Sequence, residues 1–161
     1  MTQNAPRSPA FIELDLKGIS YQVFIHDKPI TSLEQAAADR GQSPDQVIRS
    51  ILFRLSSEEF CLALVAGPDQ INWRELRRHF NQSRLTMASP DEVFKVTGYK
   101  PGSVSPFGLP SPLPIIADPS VFESGEISLG SGIRGTAIIM KTSDLKQALG
   151  NFEIISLIQK E

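Results

Sequence analysis

The segment from Thr97 to Gly108 reads T-G-Y-K-P-G-S-V-S-P-F-G and constrains the fold more than any other stretch of the chain. A helix cannot continue through Pro101 or Pro106, because proline has no N–H to donate and its ring clashes with the preceding turn. The three glycines of the segment permit positive φ angles and close approach of another backbone or a ligand. The pattern therefore predicts a fixed, non-repetitive loop whose N–H groups and hydroxyls form a wall for a polar ligand. An ordinary connection is the alternative, since glycine and proline punctuate loops generally.

Short helices and strands alternate on either side of this loop. Helix-start signals, each a small polar residue before an apolar segment, occur at Ser8, Thr31, Ser43, Asn72, Ser89 and Ser143. Segments rich in β-branched and aromatic residues predict strands at 19–26, 48–55, 60–65, 85–88, 113–117, 127–129 and 136–140. Residues 152–158 fit a strand or a helix equally. The mixture predicts an α+β or mixed α/β fold with a single domain over residues 9–161, preceded by a disordered tail over residues 1–8.

Charge and hydropathy exclude several classes of protein. A formal net charge of −2 argues against wrapping long nucleic acid, so we expect no DNA partner, although a small patch can still grip one end. Met1–Pro9 contains no apolar core, and no segment approaches the ~18 consecutive apolar residues of a membrane span. We therefore expect a cytoplasmic protein without membrane contact. Cys61 is the only cysteine, and its apolar surroundings predict a buried thiol.

Known catalytic and cofactor motifs are missing from the sequence. His26 and His79 lie far apart, and neither has a Cys, His or Asp partner at ligand spacing, so we expect no metal. There is no Gly-x-Ser-x-Gly elbow and no dinucleotide or Walker-type fingerprint, so we expect no cofactor. His26 ends a predicted strand, where site residues are common, and is a weaker candidate for the site. His79 follows an arginine run and is predicted to lie on the surface.

Of the two arginines in Ile48–Arg54, the first is a stronger candidate for the site. Period-2 alternation places Arg49 on the same strand face as Ile51 and Phe53. A charge among large apolar side chains needs a partner or a polar cavity, which makes Arg49 a candidate binding residue. A later helix carries three arginines on one side, which either face solvent or contact a phosphate: Arg74, Arg77 and Arg78.

A second glycine-rich segment, G-S-G-I-R-G, occupies residues 130–135. Glycine-rich turns between strands can direct successive N–H groups toward an anion or a developing oxyanion. The alternative is an ordinary hairpin loop. The sequence alone does not separate the two interpretations.

Four segments in this order carry a family resemblance. They are D-Q-V-I-R-S-I-L-F at 45–53, L-A-L-V-A-G-P-D-Q-I-N at 62–72, the 97–108 segment, and the 130–135 segment. Together they resemble the YbaK/ProX-type aminoacyl-tRNA deacylases, which share their fold with the editing insertion domain of bacterial prolyl-tRNA synthetases. The resemblance covers about residues 19–150, and Thr-Gly-Tyr followed by Gly-x-x-Ser-Pro-x-Gly is its most specific part.

The resemblance implies a YbaK-like fold, in which short helices surround a mixed, curved β-sheet. It also implies a trans-editing hydrolase that cleaves, without a metal, the ester between a wrong amino acid and the tRNA 3′ end. The expected partners are the acceptor end of aminoacyl-tRNA and an aminoacyl-tRNA synthetase.

The resemblance further assigns roles to residues. N–H groups of the glycine loops hold the carbonyl, and the attacking group comes from water or from the substrate itself. The implied catalytic residues are Gly102, Ser103, Gly130, Ser131 and Gly132. The implied substrate-binding residues are Arg49, Tyr21, His26, Ser105, Pro106 and Arg134. We expect a bulky residue at Gly102 or Gly130 to abolish activity without unfolding the protein.

Two positions depart from the family pattern. The family lysine falls on Arg49, whose planar fork differs from a compact ammonium. Ala137 stands where many members have an acidic residue. A second hypothesis therefore stays open: a noncatalytic module of the same fold that binds tRNA ends or a synthetase. If Arg49 points into the cleft between the glycine loops, the enzyme is favoured, and if it turns to a surface carboxylate, the binding module is favoured.

Overall fold

The computed structural model describes residues 7–55 and 58–159. The α-helices of this part are α1 (Pro9–Leu16), α2 (Leu33–Asp39), α3 (Trp73–Phe80), α4 (Pro90–Thr97) and α5 (Thr142–Leu149). The strands are β1 (Gln22–Ile25), β2 (Ile48–Arg54), β3 (Phe60–Ala66), β4 (Thr86–Met87), β5 (Ile115–Ala117), β6 (Glu126–Gly130), β7 (Thr136–Lys141) and β8 (Glu153–Ile154). Short 3₁₀ turns lie at Pro44–Gln46 and Pro119–Phe122. None of the helices described is long and apolar enough to span a membrane.

The strands form two sheets that meet at one bridge. Strands β1, β7 and β6 make an antiparallel sheet in that spatial order. The five-stranded sheet has the order β4-β2-β3-β5-β8, antiparallel on one side of β3 and parallel on the other. A parallel bridge between Val47 and Ser128 connects β6 to the start of β2. The predicted mixed α/β class is confirmed, and the segment left open at 152–158 contributes the short edge strand β8.

Local capping chemistry explains where the helices begin. The side chains of Asn72 and Ser89 accept the N–H groups of the third helical residues in α3 and α4, as predicted. The cap of α2 is Ser32 rather than Thr31, because the Ser32 hydroxyl is the one that accepts the N–H of Gln35 (3.0 Å). Helix α5 likewise begins at Thr142, one residue before the predicted cap.

The centre of the five-stranded sheet is buried on both faces, whereas its edge strands β4 and β8 are exposed. Along β3, Cys61, Ala63 and Val65 pack into one hydrophobic cluster, while Leu64 and Ala66 pack into the other. The predicted burial of Cys61 is confirmed, since the residue has no exposed surface, and burial raises the pKa of its thiol to about 12. On β2, Ile51 and Phe53 share one face as the alternation predicted.

Some sequence predictions concern residues outside the described ranges. The tail predicted over residues 1–8 lies outside them except for Arg7 and Ser8, and Ser8 is buried with its hydroxyl donating to the carbonyl of Ser131. The turn predicted between β2 and β3 also lies partly outside, although the two strands pair antiparallel over their whole length. That pairing fixes the position of Arg49 opposite Val65.

Candidate active site

The loop at 97–108 and the loop at 130–135 pack directly against each other. The N–H of Gly132 donates to the carbonyl of Ser103 (2.8 Å). A Cβ at Gly130 would stand 2.1 Å from the carbonyl oxygen of Val104, and a Cβ at Gly132 would stand 2.4 Å from the ring of Tyr99. Glycine is required at both positions for this close approach. A bulky residue at Gly130 would therefore force the loops apart, so we expect it to lower stability as well as activity, unlike the same change at Gly102.

A cavity of about 370 Å³ opens beside the paired loops. Its wall combines apolar side chains of β2, β6 and the α2 region with glycine backbone and a few polar groups, a composition typical of small-molecule sites. The lining residues are Ile30, Leu33, Ala36, Arg40, Val47, Ile48, Arg49, Ser50, Ile51, Gly102, Val104, Leu129, Gly130, Gly135 and Thr136.

Backbone amides from both glycine-rich loops in the cavity wall have no acceptor. Across residues 7–55 and 58–159, the N–H groups of Gly102, Val104 and Gly135 donate no hydrogen bond. Gly102 has a φ of +90°, and the space where its Cβ would stand is open for 4 Å. Unpaired N–H groups at the wall of a largely apolar cavity are suited to a carbonyl oxygen or an oxyanion.

Arg49 lines the cavity with its head group anchored to the backbone. Its Nε donates to the carbonyl of Gly67 (2.7 Å), and Nη2 donates to the carbonyl of Asp69. Burial lowers the pKa of the guanidinium, and the nearby Asp69 opposes that shift. The guanidinium carries five N–H donors, so donors remain beyond these two bonds. Arg49 thus takes neither expected orientation, because its partners are carbonyls rather than a surface carboxylate.

The next residue, Ser50, presents an unsatisfied hydroxyl. Its Oγ is buried and has no hydrogen-bond partner within the described ranges. A buried polar atom without a partner costs about 1–3 kcal/mol, so such atoms are uncommon outside functional sites. Because Ser50 lines the cavity, the missing partner can be supplied by a bound molecule.

A second arginine, Arg40, reaches the cavity from the end of α2. Its Nε donates to Nε2 of His26 (3.1 Å), and Nη1 donates to Oγ of Ser128 (2.9 Å). Since arginine can only donate, Nε2 of His26 must accept, which leaves the ring hydrogen on Nδ1. Nδ1 lies 3.3 Å from Oδ2 of Asp39. Burial lowers the pKa of the Arg40 guanidinium, with Asp39 acting in the opposite direction.

Comparison with known protein families shows which family the chain belongs to. Residues 27–148 match the family model described as an aminoacyl-tRNA editing domain. The chain belongs to this family.

Individual relatives support the same family assignment. The multifunctional Ser/Thr-tRNA deacylase ProXp-y of Escherichia coli is 28% identical over 135 residues, which cover 81% of this chain and 80% of that protein. A proline–tRNA ligase of Streptococcus suis is 33% identical over 104 residues, 65% of this chain and 17% of the ligase. The crystal structure of a candidate trans-editing enzyme for prolyl tRNA synthetase has a TM-score of 0.85 at 23% identity, covering 96% of this chain and 100% of that one. The predicted family and fold are confirmed, and with them the prediction of an aminoacyl-tRNA editing protein.

The residues predicted for the site of the editing domain do not all meet in the cavity. Arg49, Gly102 and Gly130 line it. A neighbouring groove contains Ser103, Gly132 and Arg134, whereas Tyr21 and His26 line two further depressions. Pro106 is buried. The catalytic and binding roles assigned to these residues stay predictions.

The loop serines are engaged in holding the loops together. Ser105 Oγ accepts the N–H of Phe107 (3.3 Å), and Ser131 Oγ accepts the N–H of Ile133 (3.1 Å). Ser103 Oγ donates to the carbonyl of Lys100 (3.0 Å). All three are buried, and their hydroxyl hydrogen bonds fix the backbone of the two loops.

Tyr21 is held away from the cavity by a carboxylate. Its hydroxyl donates to Oδ1 of Asp15 (2.8 Å). Burial, together with Asp15, raises the pKa of this phenol to about 12. Tyr21 also stacks on Phe11, with ring centroids 5.5 Å apart.

Arg40 and Ser50 are the site residues that sequence reasoning missed. A cation at the end of a helix is ordinary, because it complements the helix dipole, so Arg40 carried no distinctive signal. Ser50 follows Arg49 and could have been found only from the strand alternation, which turns it to the opposite face. Among the residues described, no group of three or more His, Cys, Asp or Glu side chains could hold a metal ion.

Proposed function

We propose that this editing domain hydrolyses the ester that joins a wrong amino acid to the 3′ end of a tRNA. The observation that carries the proposal is the 370 Å³ cavity, in which unpaired amides of Gly102, Val104 and Gly135 stand beside two arginines. The substrate class comes from family membership, and the E. coli relative is itself a Ser/Thr-tRNA deacylase.

In this proposal the amides hold the ester carbonyl. As a water molecule attacks the carbonyl carbon and gives up a proton, negative charge develops on the carbonyl oxygen, which the N–H groups stabilise. The bond to the ribose oxygen then breaks, and that oxygen leaves with a proton. Among the residues described, the cavity lining includes no Asp, Glu, His or Cys, so the proposal assigns the nucleophile to water rather than to such a side chain.

The arginines bind the nucleotide part of the substrate. An aminoacyl ester carries a positive α-ammonium group, which two guanidiniums would repel, whereas the phosphate and ribose oxygens of the terminal nucleotide match them. Arg40 and Arg49 are both held rigidly by protein hydrogen bonds, so they are preorganised for such contacts. Arg49 here takes the place of the family lysine.

The amino acid occupies the apolar side of the cavity. A volume of about 370 Å³ that must also accept the terminal sugar leaves room for a small side chain. The unpaired hydroxyl of Ser50 offers a hydrogen bond to a polar side chain or to the ammonium group. We therefore propose that the edited amino acid is small.

Single-turnover deacylation of alanyl-, cysteinyl-, seryl- and threonyl-tRNA tests the proposal. Wild type, Arg49→Ala and Arg49→Lys are compared, with Arg54→Ala as the control, because Arg54 is an exposed arginine of the same strand. We expect wild type and Arg54→Ala to hydrolyse at least one substrate well above the spontaneous rate, and Arg49→Ala to lose this activity. If wild type hydrolyses none of the four and Arg49→Lys gains activity, the noncatalytic binding module is the correct hypothesis.

A further inference from the structure

A groove of about 500 Å³ is lined by residues of the same two loops that contribute to the cavity. It runs between the end of α4 and the 130–135 loop. Phe94 and Ile133 supply its apolar surface, and Lys100 and Arg134 supply positive charge. We call it the Phe94 groove.

Phe94 is an exposed aromatic residue on the surface helix α4. The residue is 55% exposed, and its ring makes no aromatic contact with any part of the chain the structure describes. The capping box at Ser89 and the buried Thr97 fix the two ends of α4, so the ring is presented on a defined backbone. A single exposed aromatic ring is normal on a protein surface and indicates no function by itself. The charged residues around Phe94 are what indicate a binding site.

The two cations of the groove have no acidic partner. Lys100 and Arg134 are exposed, and neither forms an ion pair within residues 7–55 and 58–159. No Asp or Glu of the part of the chain that the structure describes lines the groove. This local positive charge stands out on a chain of net charge −2, and with an aromatic ring it matches the pattern that binds single-stranded nucleic acid.

Neighbouring residues of the same two loops line the groove and the cavity. Ser103 lines the groove and directly follows Gly102, which lines the cavity. Gly132 lines the groove two residues after Gly130, which lines the cavity, and its N–H donates to the Ser103 carbonyl. Because consecutive Cα atoms are about 3.8 Å apart, the groove is within reach of the nucleotides that precede one bound in the cavity.

We propose that the Phe94 groove binds the unpaired nucleotides that precede the terminal nucleotide of the tRNA. A base stacks on Phe94, and Lys100 and Arg134 contact the phosphates. The inference rests on the proposed function, because it takes the aminoacylated end to lie in the cavity. It adds a binding site for nucleotides that undergo no chemistry.

Binding of two amide-linked, nonhydrolysable analogues tests the inference. One is the aminoacylated terminal mononucleotide, and the other is the aminoacylated CCA trinucleotide. We expect wild type to bind the trinucleotide more tightly. Phe94→Ala should weaken trinucleotide binding about 5- to 150-fold, the usual range for one stacked base, and leave mononucleotide binding unchanged. Phe94→Trp should restore it.

Salt dependence examines the cations separately. Affinity for a single strand falls with salt, and each phosphate contact contributes about −0.7 to the slope of log affinity against log salt. Lys100→Ala and Arg134→Ala should therefore each make this slope less steep by about 0.7 for the trinucleotide. Arg74→Ala, which removes an exposed arginine of α3, and Leu16→Ala, which removes an exposed apolar residue of α1, serve as controls and should change neither quantity.

The outcomes separate the two proposals. Equal wild-type affinity for both analogues, or equal loss for both in Phe94→Ala, would overturn the groove while hydrolysis of an aminoacylated mononucleotide ester still supported the proposed function. Failure of wild type to bind or hydrolyse any aminoacylated end would overturn both. A groove that bound a protein partner instead would leave trinucleotide affinity unchanged in every variant, which also overturns the inference.

Discussion

Nε of Arg40 donates to Nε2 of His26 at 3.1 Å, so a histidine side chain with no exposed surface holds a guanidinium at the cavity wall. Nη1 of the same arginine donates to Ser128, which in turn donates to Gln42. The charge is thus fixed from two sides. This arrangement is what we expect of a residue that must meet an anionic group without losing side-chain freedom on binding.

Arg40→Gln should raise KM for an aminoacylated tRNA end with little change in kcat. A hydrogen bond to a charged group contributes about 1.5–3 kcal/mol, which corresponds to about 10- to 150-fold in affinity. Steady-state kinetics on the best substrate of the panel measure the effect. Arg54→Gln is the matched control, because Arg54 lies on the surface and pairs with Glu92 at 3.5 Å. An unchanged KM in Arg40→Gln would show that this arginine has only a structural role.

Ser50→Ala should affect stability and activity in opposite directions. Removing a buried hydroxyl that has no partner should leave the free energy of unfolding unchanged or raise it by about 1 kcal/mol, because the unsatisfied oxygen is lost. Activity should fall if that hydroxyl bonds the substrate. Urea unfolding and single-turnover deacylation measure the two effects.

Ser128→Ala is the comparison for Ser50→Ala. Its hydroxyl is buried but bonded to Arg40 and Gln42, so its loss should lower stability by about 1 kcal/mol or more. A Ser50→Ala protein that is less stable than wild type and fully active would contradict the assignment of Ser50 to the substrate site.

Local signals in the sequence were enough to place most helices and strands. Asn72 and Ser89 cap their helices through bonds to residues three positions away, a range that sequence patterns capture well. The contacts that build the site are of another kind. Arg40 meets Ser128 across 88 residues, and Arg49 is oriented by carbonyls 18 and 20 residues away. Those pairings depend on how the two sheets meet, which no local pattern encodes.

The same distinction applies to the loop glycines. Their presence predicted a site, but the roles of individual glycines follow from which backbone lies opposite each one. Gly130 faces a carbonyl oxygen of the other loop, whereas Gly102 faces open space. Sequence spacing treated the two as equivalent.

The buried thiol of Cys61 predicts a loss of stability at alkaline pH. Its pKa is raised from 9.0 to about 12 in the folded protein, so the unfolded chain releases this proton at lower pH than the folded one. The free energy of unfolding is therefore unaffected by ionisation of this thiol below about pH 9. As pH rises from there toward about 12, the free energy of unfolding falls by up to about 1.4 kcal/mol per pH unit.

Urea unfolding at pH 8, 9 and 10 measures this dependence. Cys61→Ala should have lower stability at pH 8, because it leaves a small cavity, but a flatter decline between pH 9 and 10, below the range where Tyr21 titrates. Identical slopes for wild type and Cys61→Ala would show that the thiol does not control the decline.

Gly102→Ala and Gly130→Ala should fail for different reasons. At Gly130 the new methyl group would stand 2.1 Å from a backbone oxygen, so the loops must separate and the protein should lose stability by about 3 kcal/mol or more. At Gly102 there is space, and only the positive φ is strained, at a cost of about 1–2 kcal/mol.

The folded Gly102→Ala protein should nevertheless lose deacylation by about 10²–10³-fold if its N–H is an oxyanion donor displaced by the change. Gly18→Ala is the control, because Gly18 also has a positive φ and open surroundings but lies outside the cavity lining. If Gly102→Ala and Gly18→Ala lose equal stability and both keep full activity, the carbonyl is held by amides other than that of Gly102.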